Sequence, residues 1–204
     1  MSWELADVGI SGEIIENLQI YLDLLKKWNA RINLVSEKSL KDAWTRHFKD
    51  SAQLWEHSGD GGKWLDMGSG AGFPGMVLAI INHGEGNRYR FCLVESDARK
   101  CAFLRTVSRE TKINTEIITI RIENLPFQKA DVISARALAS LTDLLSYAKP
   151  HLKNGGFALY LKGQKCGEEV EKAKKMWYFR SRLFPSSIDS NAFVAKIWDL
   201  KRAI

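Results

Sequence analysis

Residues 63–75 read K-W-L-D-M-G-S-G-A-G-F-P-G, which predicts a strand, a glycine-rich turn and the start of a helix. The apolar run around Trp64 is typical of a strand, and the run M-V-L-A-I-I after Gly75 is typical of a helix. Glycines let the backbone approach a ligand where a Cβ atom would collide, and a helix N-terminus offers unpaired N–H groups. The stretch therefore predicts a ligand-binding loop.

Beyond this loop, strand and helix patterns alternate, which predicts parallel strands joined by right-handed crossovers. Strands are predicted at 63–67, 89–95, 117–120, 130–134, 157–161, 176–184 and 192–200, and helices at 74–81, 97–111, 140–152 and 168–175. A short turn at Pro185 joins the last two strands, so we expect them to be antiparallel neighbours. The predicted fold class is α/β, with a Rossmann-like, mostly parallel sheet that ends in an antiparallel strand pair.

The beginning of the chain has helical patterns only. Apolar residues from Ile14 to Trp28 recur at spacings of three and four, with Ser11 as the predicted cap, and a second helix is predicted from Ser39 through Leu54. The cluster S-G-D-G-G at 58–62 disfavours both helix and strand. We therefore expect a helical appendage at residues 1–60 and an α/β domain at residues 61–204.

Composition sets broad limits on the class of protein. A chain of 204 residues that is 45% hydrophobic can bury a sizeable core. It has no apolar run of the roughly 20 residues that span a bilayer, and its N-terminus lacks a signal-peptide pattern, so we expect a cytoplasmic protein. Cys92, Cys101 and Cys166 lack the spacing of a zinc site, so we expect buried free thiols and no bound metal.

The net charge of +6 is unevenly distributed. Residues 1–62 carry −3, residues 63–159 carry +4, and residues 160–204 carry +5. A basic chain is compatible with a polyanionic partner such as nucleic acid, because phosphate contacts release counterions. Charge alone does not decide between a nucleic-acid partner and none.

The glycine loop fits two kinds of ligand. Gly70, Gly72 and Gly75 satisfy G-x-G-x-x-G, so a nucleotide-binding oxidoreductase is one alternative. Asp66, the additional Gly68 and the antiparallel end of the sheet favour a D-x-G-x-G-x-G loop instead. That pattern suits a nucleoside with a charged amino-acid tail.

Residues at other strand ends extend this ligand site, because ligands of such sheets bind at the carboxyl ends of the strands. We expect Glu95 to accept hydrogen bonds from both ribose hydroxyls, and Asp66 to meet a positive part of the ligand directly or through water. If the ribose lies at Glu95, we expect backbone N–H groups of Ile122 and Glu123 to read the base, although R-I-E at 121–123 also fits a surface loop. A buried Arg136 would need a partner, so we expect it to meet a carboxylate, a phosphate or a base.

Taken together, these residues resemble the RsmG family, also called GidB, of bacterial methyltransferases. The matching residues are Lys27-Trp28-Asn29, Asn33-Leu34, Ser36, Arg46-His47, Asp50-Ser51, the loop from Asp66 to Gly75, Glu95-Ser96, Arg99-Lys100, Phe103-Leu104, Arg121, Glu123, Ser134, Arg136-Ala137 and Leu161-Lys162-Gly163. The order Arg99-Lys100 departs from the more frequent Lys-Arg order, which puts any bidentate contact there in doubt. The order and spacing of the whole set carry the resemblance.

The resemblance implies a class I methyltransferase fold that binds S-adenosylmethionine and methylates N7 of a guanine in 16S ribosomal RNA. The expected cofactor-binding residues are Asp66, Gly68, Gly70, Gly72, Phe73, Glu95, Ser96, Ile122, Glu123 and Arg136. The expected RNA-binding residues are Lys27, Arg31, Arg46, His47, Lys162 and Lys165. We expect Arg136 also to act in catalysis by positioning, through a carboxylate or the O6 edge of the guanine.

The chemistry of N7 agrees with these residues. Guanine N7 has a free lone pair and no proton to remove, so methyl transfer needs positioning more than a general base. The deep major groove of A-form RNA hides N7, so the target base must be looped, bulged or turned outward. The expected partner is 16S rRNA or the small ribosomal subunit, with no membrane and a monomeric protein. A non-catalytic RNA-binding module is the second alternative, beside the oxidoreductase.

Overall fold

The computed structural model describes residues 12–203, so the predicted cap Ser11 lies outside the described residues. Seven strands form one sheet in the order β3-β2-β1-β4-β5-β7-β6. The strands are β1 Gly62–Met67, β2 Tyr89–Glu95, β3 Thr115–Thr119, β4 Ala130–Arg136, β5 Leu152–Lys162, β6 Trp177–Pro185 and β7 Phe193–Arg202. Strands β1 to β5 are parallel, and β7 is antiparallel to both of its neighbours. The predicted fold class is confirmed.

Helices cover both faces of this sheet. The α-helices are α1 Gly12–Asn29, α2 Glu37–Lys41, α3 Asp50–Ala52, α4 Gly75–Gly84, α5 Ala98–Glu110, α6 Leu141–His151 and α7 Cys166–Lys174. One core cluster contains α1, α4 and α5 side chains, and a second contains α6 and α7 side chains. Alternate residues of the buried strands point to opposite clusters, as Trp64 and Leu65 of β1 do. No helix among residues 12–203 is long and apolar enough to cross a membrane.

Most strand ends lie within two residues of their predicted bounds, but β5 is much longer than predicted and the position of β7 in the sheet was not predicted. Strand β5 begins at Leu152, directly after α6, because residues 152–156 extend the strand that was predicted to begin at residue 157. Gly155 has a φ of +80°, and the pairing of β4 with β5 is irregular at this point, which is typical of a bulge. Strand β7 lies between β5 and β6, an order that a pattern of apolar residues does not specify.

The predicted second helix, residues 39–54, is wrong as a single helix. The chain forms α2, a π-helical turn at Trp44–Lys49, the short α3 and a 3-10 turn at Gln53–His57. The wider π turn places His47 and Phe48 together on the buried side.

The helical segment before β1 shares a core with the sheet. Buried α1 residues such as Leu18 and Leu25 belong to the same cluster as the α4 residues, and Trp28 and Trp44 pack partly buried against it. The three cysteines are buried and free, as predicted.

Candidate functional site

The parallel strands end at one edge of the sheet, which gathers the predicted site residues. Strand β1 leads there into the glycine loop, β2 ends at Glu95, β4 ends at Arg136 and β5 ends at Lys162. Asp66 pairs in register with Ser134, and Arg136 pairs with Leu161. The topology thus brings together side chains from four strands that are separated by up to about a hundred residues in sequence.

The glycines of the loop have different environments. Gly68 and Gly70 have φ of +64° and +57°, a region that L side chains rarely adopt. A Cβ atom on Gly68 would lie 2.5 Å from Cδ1 of Leu138, whereas one on Gly70 would meet only the Gly68 carbonyl oxygen, at 3.9 Å. Gly70 therefore presents bare backbone to open space, and Leu138 lies directly over Gly68.

Gly72 faces the protein interior. Its φ is +96°, and a Cβ atom there would collide with the Tyr21 hydroxyl and would approach Leu104 and Met76 to 2.9 Å. The hydroxyl of Tyr21 also donates to the carbonyl of Ala71. Close packing of the loop on α1 and α5 thus explains why residue 72 is glycine, and a ligand is not needed to explain it.

Phe73 fixes the other end of the loop. Its ring is buried, with 4% exposure, and stacks on Tyr21 and His47 at centroid distances of 5.3 and 4.8 Å. The guanidinium of Arg136 lies 4.9 Å from the centre of the same ring. The Phe73 side chain therefore supports neighbouring side chains, and only its backbone is left to meet a cofactor.

Asp66 is completely buried beneath the loop. Its Oδ1 accepts a 2.6 Å hydrogen bond from Ser134, and the Ser134 hydroxyl itself accepts from the Trp64 indole N–H at 2.9 Å. Burial raises the pKa of Asp66 to about 6, although the Ser134 hydrogen bond lowers it. Oδ2 has no hydrogen-bond partner within the described part of the chain. Asp66 has no exposed surface, and its predicted contact with the ligand, directly or through water, stays a prediction.

Glu95 connects the loop to the start of α5. Its Oε2 accepts from the Gly70 N–H at 2.9 Å, and its Oε1 accepts from the Asp97 N–H at 2.8 Å. The adjacent Ser96 hydroxyl lies 3.5 Å from Oε1. Each carboxylate oxygen has a second lone pair available for a ligand hydroxyl.

Ile122 and Glu123 lie in a 3-10 turn that follows β3, Ile122–Asn124. The Ile122 side chain is largely buried in the second core cluster, and Glu123 is exposed. The turn stands beside the end of β2, because Ile120 donates its backbone N–H to the Glu95 carbonyl at 3.1 Å. These two residues therefore border the same edge as Glu95.

Arg136 meets a carboxylate, which is one of the three kinds of partner predicted for it. Its Nη1 donates to Asp50 Oδ2 at 3.3 Å and to the Arg46 carbonyl at 3.0 Å, and its Nη2 lies 3.0 Å from His47 Nδ1. All three partners belong to the helical segment before β1. Arg136 thus joins the end of β4 to that segment.

His47 is a buried neutral ring and not the exposed cation expected of a phosphate-binding residue. Burial, reinforced by the neighbouring Arg136, lowers its pKa to about 4. Its Nε2 is buried without a hydrogen-bond partner among residues 12–203. In this placement His47 supports Phe73 and Arg136, whereas Arg46, Lys27 and Arg31 are exposed as an RNA contact requires.

Lys162, one of the expected RNA-binding residues, is largely buried. Its ammonium group lies 2.7 Å from Glu169 and donates to the Ala139 carbonyl at 3.2 Å, with 9% of the side chain exposed. Glu169 in turn accepts from the Leu141 N–H at 2.7 Å. The pair anchors the loop between β4 and α6, and a phosphate would have to compete with Glu169. Lys165 is exposed.

A cleft of about 690 Å³ opens beside Arg136. It lies between the helical segment before β1, the ends of β4 and β5, and the turn that joins β6 to β7. Its lining includes Asp42, Arg46, His47, Asp50, Arg136, Lys162, Glu169, Ile188, Asp189 and Phe193.

Three residues of this region, Asp50, Leu138 and Glu169, were given no role from the sequence. Asp50 had one signal, its place three residues after His47 in a matching motif.

Comparisons with known proteins agree with this architecture. The structure aligns with a SAM-dependent methyltransferase from Aquifex aeolicus with a TM-score of 0.58 and 15% identity, covering 78% of this chain and 95% of the other. It also aligns with TYW2 of M. jannaschii in complex with AdoMet, with a TM-score of 0.56 and 14% identity over 85% and 80% of the two chains. At these identities the likeness shows a shared fold.

Sequence relatives are much closer. A family model described as rRNA small subunit methyltransferase G matches residues 14–191. Ribosomal RNA small subunit methyltransferase G of Ruegeria pomeroyi is 46% identical over 195 residues, covering 96% of each chain. The protein of the same name from Gluconobacter oxydans is 44% identical and covers 96% of this chain and 98% of its own. The chain belongs to the rRNA small subunit methyltransferase G family.

Proposed function

We propose that this protein transfers a methyl group from S-adenosylmethionine to N7 of a guanine in 16S rRNA of the small ribosomal subunit. The observation that carries the proposal is the hydrogen bond that the Glu95 carboxylate accepts from the Gly70 N–H, at the edge where the parallel strands end. The chain that makes this contact belongs to this methyltransferase family. We further propose that the protein acts in the cytoplasm and that it is a monomer.

The residues at this edge fit S-adenosylmethionine. Gly68 and Gly70 offer backbone that a Cβ atom would obstruct or distort, and Glu95 offers lone pairs for ribose hydroxyls. Asp66 keeps an unpartnered Oδ2 directly below the loop, which suits a water-mediated contact with a positive ligand group. Ile122 and Glu123 border the position of the base. When bound, the cofactor supplies an electrophilic methyl group on a sulfonium.

Methyl transfer to N7 requires little acid–base chemistry from the chain. A bond forms between N7 and the methyl carbon while the bond from that carbon to sulfur breaks, so the guanine gains the positive charge and no proton moves. The protein's task is to hold the base in line, which is an orientation effect. Arg136 is suited to this positioning role, because Asp50, His47 and Phe73 fix its guanidinium at the wall of the cleft.

Exposed basic residues supply the contacts with the RNA backbone. Lys27, Arg31, Arg46 and Lys165 are exposed, and Lys27 and Arg31 border a groove between α1 and α5 together with Arg99 and Arg109. Such contacts weaken steeply with salt.

Two experiments test the proposal. Thermal-shift titration with S-adenosylmethionine, its demethylated product and NAD separates the methyltransferase from an oxidoreductase, for which NAD alone would raise the melting temperature. Primer extension on 16S RNA after borohydride and aniline treatment detects 7-methylguanine as a cleavage site. RNA from cells with and without this gene should differ at one guanine, and identical cleavage patterns would refute the proposal.

A further inference from the structure

The ion pair between Arg136 and Asp50 stands at the wall of the cleft with both partners accessible. The Nη1 to Oδ2 distance is 3.3 Å, and the side chains are 18% and 20% exposed. The contacts to Asp50, Arg46 and His47 engage three of the five guanidinium N–H groups. The pair therefore presents unused donors next to unused acceptor lone pairs.

The Asp50 carboxylate is held from two sides. Gln53 Nε2 donates to Asp50 Oδ1 at 2.9 Å, and Gln53 Oε1 accepts from the backbone N–H of Ser187, in the turn between β6 and β7, at 3.1 Å. One glutamine thus connects the carboxylate to the opposite wall of the cleft. This arrangement fixes the direction in which Asp50 can accept further hydrogen bonds.

A donor beside an acceptor matches guanine and mismatches adenine. The Watson–Crick edge of guanine has the O6 acceptor next to the N1–H and N2–H donors, whereas adenine has the N6–H donor next to the N1 acceptor. Both purines have a free N7 in the same position. The nucleophile therefore does not distinguish the two bases, and a methyltransferase acting on guanine N7 needs a contact that does.

Asp50 lines the cleft together with Asp42, Glu169 and Asp189, and carboxylates in a cleft that receives RNA repel phosphate. A carboxylate that accepts hydrogen bonds from the N–H donors of a base selects the bases that have those donors, because only they offset the repulsion. Phe193 and Ile188, which line the same cleft, supply apolar surface for the face of a base.

We propose that Asp50 determines the specificity for guanine, accepting hydrogen bonds from N1–H and N2–H while Arg136 donates to O6. The proposal rests on the proposed function. N7 lies on the neighbouring edge of the base and stays free for the methyl group. Gln53 acts as a positioning residue for the carboxylate.

The first test measures inhibition of methyl transfer by free nucleotides. The assay uses small subunits from cells that lack the gene, with GMP, IMP, 1-methyl-GMP and AMP as competitors of the wild-type protein and of Asp50→Asn. We expect the wild type to prefer GMP, and we expect Asp50→Asn to lower the ratio of GMP to AMP affinity on the order of tenfold. Glu56→Gln, which removes an exposed negative charge from the same segment, should leave that ratio unchanged.

The affinity of each variant for S-adenosylmethionine shows whether its fold is intact. If Asp50→Asn does not fold, the wild type alone still decides, because 1-methyl-GMP lacks the N1 proton. Wild-type inhibition that is no stronger with GMP than with 1-methyl-GMP or AMP overturns the proposal, as does a folded Asp50→Asn with unchanged selectivity. A wild-type protein that binds S-adenosylmethionine and methylates no RNA would instead refute the proposed function.

Discussion

The hydroxyl of Ser134 donates a 2.6 Å hydrogen bond to the carboxylate of Asp66, joining the ends of β4 and β1 beneath the glycine loop. Asp66 has no exposed surface, and its neighbour Gly75 is so close that a Cβ atom there would lie 2.6 Å from Oδ2. The aspartate thus shapes the loop from below, and its ionisation is unfavourable because burial desolvates the carboxylate.

This burial predicts a specific pH dependence. The folded-state pKa of Asp66 is raised from 3.8 to about 6, so its contribution to stability is fully present below pH 3.8 and is lost as the pH rises through 6. The loss amounts to about 3 kcal/mol. Urea unfolding between pH 4 and pH 7.5 should show wild-type stability falling by about that amount relative to Asp66→Asn, which does not ionise. Parallel pH curves for the two proteins would contradict the prediction.

The two glycines Gly68 and Gly72 should respond differently to the same substitution. Gly72→Ala places a Cβ atom against Tyr21, Leu104 and Met76 at a φ of +96°, so we expect a loss of about 2–4 kcal/mol in the free energy of unfolding. The new methyl group of Gly68→Ala meets only the flexible end of the Leu138 side chain. We therefore expect the free energy of unfolding to fall by about 1 kcal/mol.

The affinity for S-adenosylmethionine should fall more in Gly68→Ala than in Gly72→Ala, the reverse of the order expected for stability. Calorimetric titration should give a Kd for S-adenosylmethionine about tenfold higher for Gly68→Ala, because the new methyl group displaces Leu138 and shifts the loop backbone that we propose contacts the cofactor. The folded fraction of Gly72→Ala should bind nearly as wild type. Equal losses of affinity in both variants would mean that Gly72 also faces the ligand.

Glu95 gives a direct test of the cofactor site. Glu95→Gln keeps the shape of the side chain but removes the charge that accepts from the Gly70 and Asp97 N–H groups. Charge-assisted hydrogen bonds contribute about 1.5–3 kcal/mol each, so we expect the Kd for S-adenosylmethionine to rise at least tenfold. Glu116→Gln is the matched control, because Glu116 lies on the neighbouring β3 with a side chain that is 58% exposed. Unchanged binding by Glu95→Gln would exclude a ribose contact.

Periodicity predicted the sheet and the edge at which the site lies, because parallel strands buried on both faces have distinctive apolar runs and their carboxyl ends share one edge. It did not predict the contact of Arg136 with Asp50, which are 86 residues apart. That contact depends on a π-helical turn whose sequence, W-T-R-H-F-K, also suits an ordinary α-helix. The sequence also could not show that His47 would be buried and neutral, because that depends on the same turn.

Substitutions of Lys162 and Lys165 should distinguish a lysine that anchors a loop from one that binds RNA. Lys162→Met breaks the 2.7 Å pair with Glu169 and the bond to the Ala139 carbonyl, so we expect a loss of about 2 kcal/mol in the free energy of unfolding. Because Glu169 also holds the Leu141 N–H, the loop after β4 should loosen and methyl transfer should fall, while the salt dependence of RNA binding stays unchanged.

Lys165→Met should leave stability within about 0.5 kcal/mol of wild type, since the side chain is exposed, but should reduce the salt slope of RNA binding by about one. Filter binding at several salt concentrations, beside urea unfolding, measures both effects. A reduced salt slope in Lys162→Met would show that this lysine leaves Glu169 to bind phosphate.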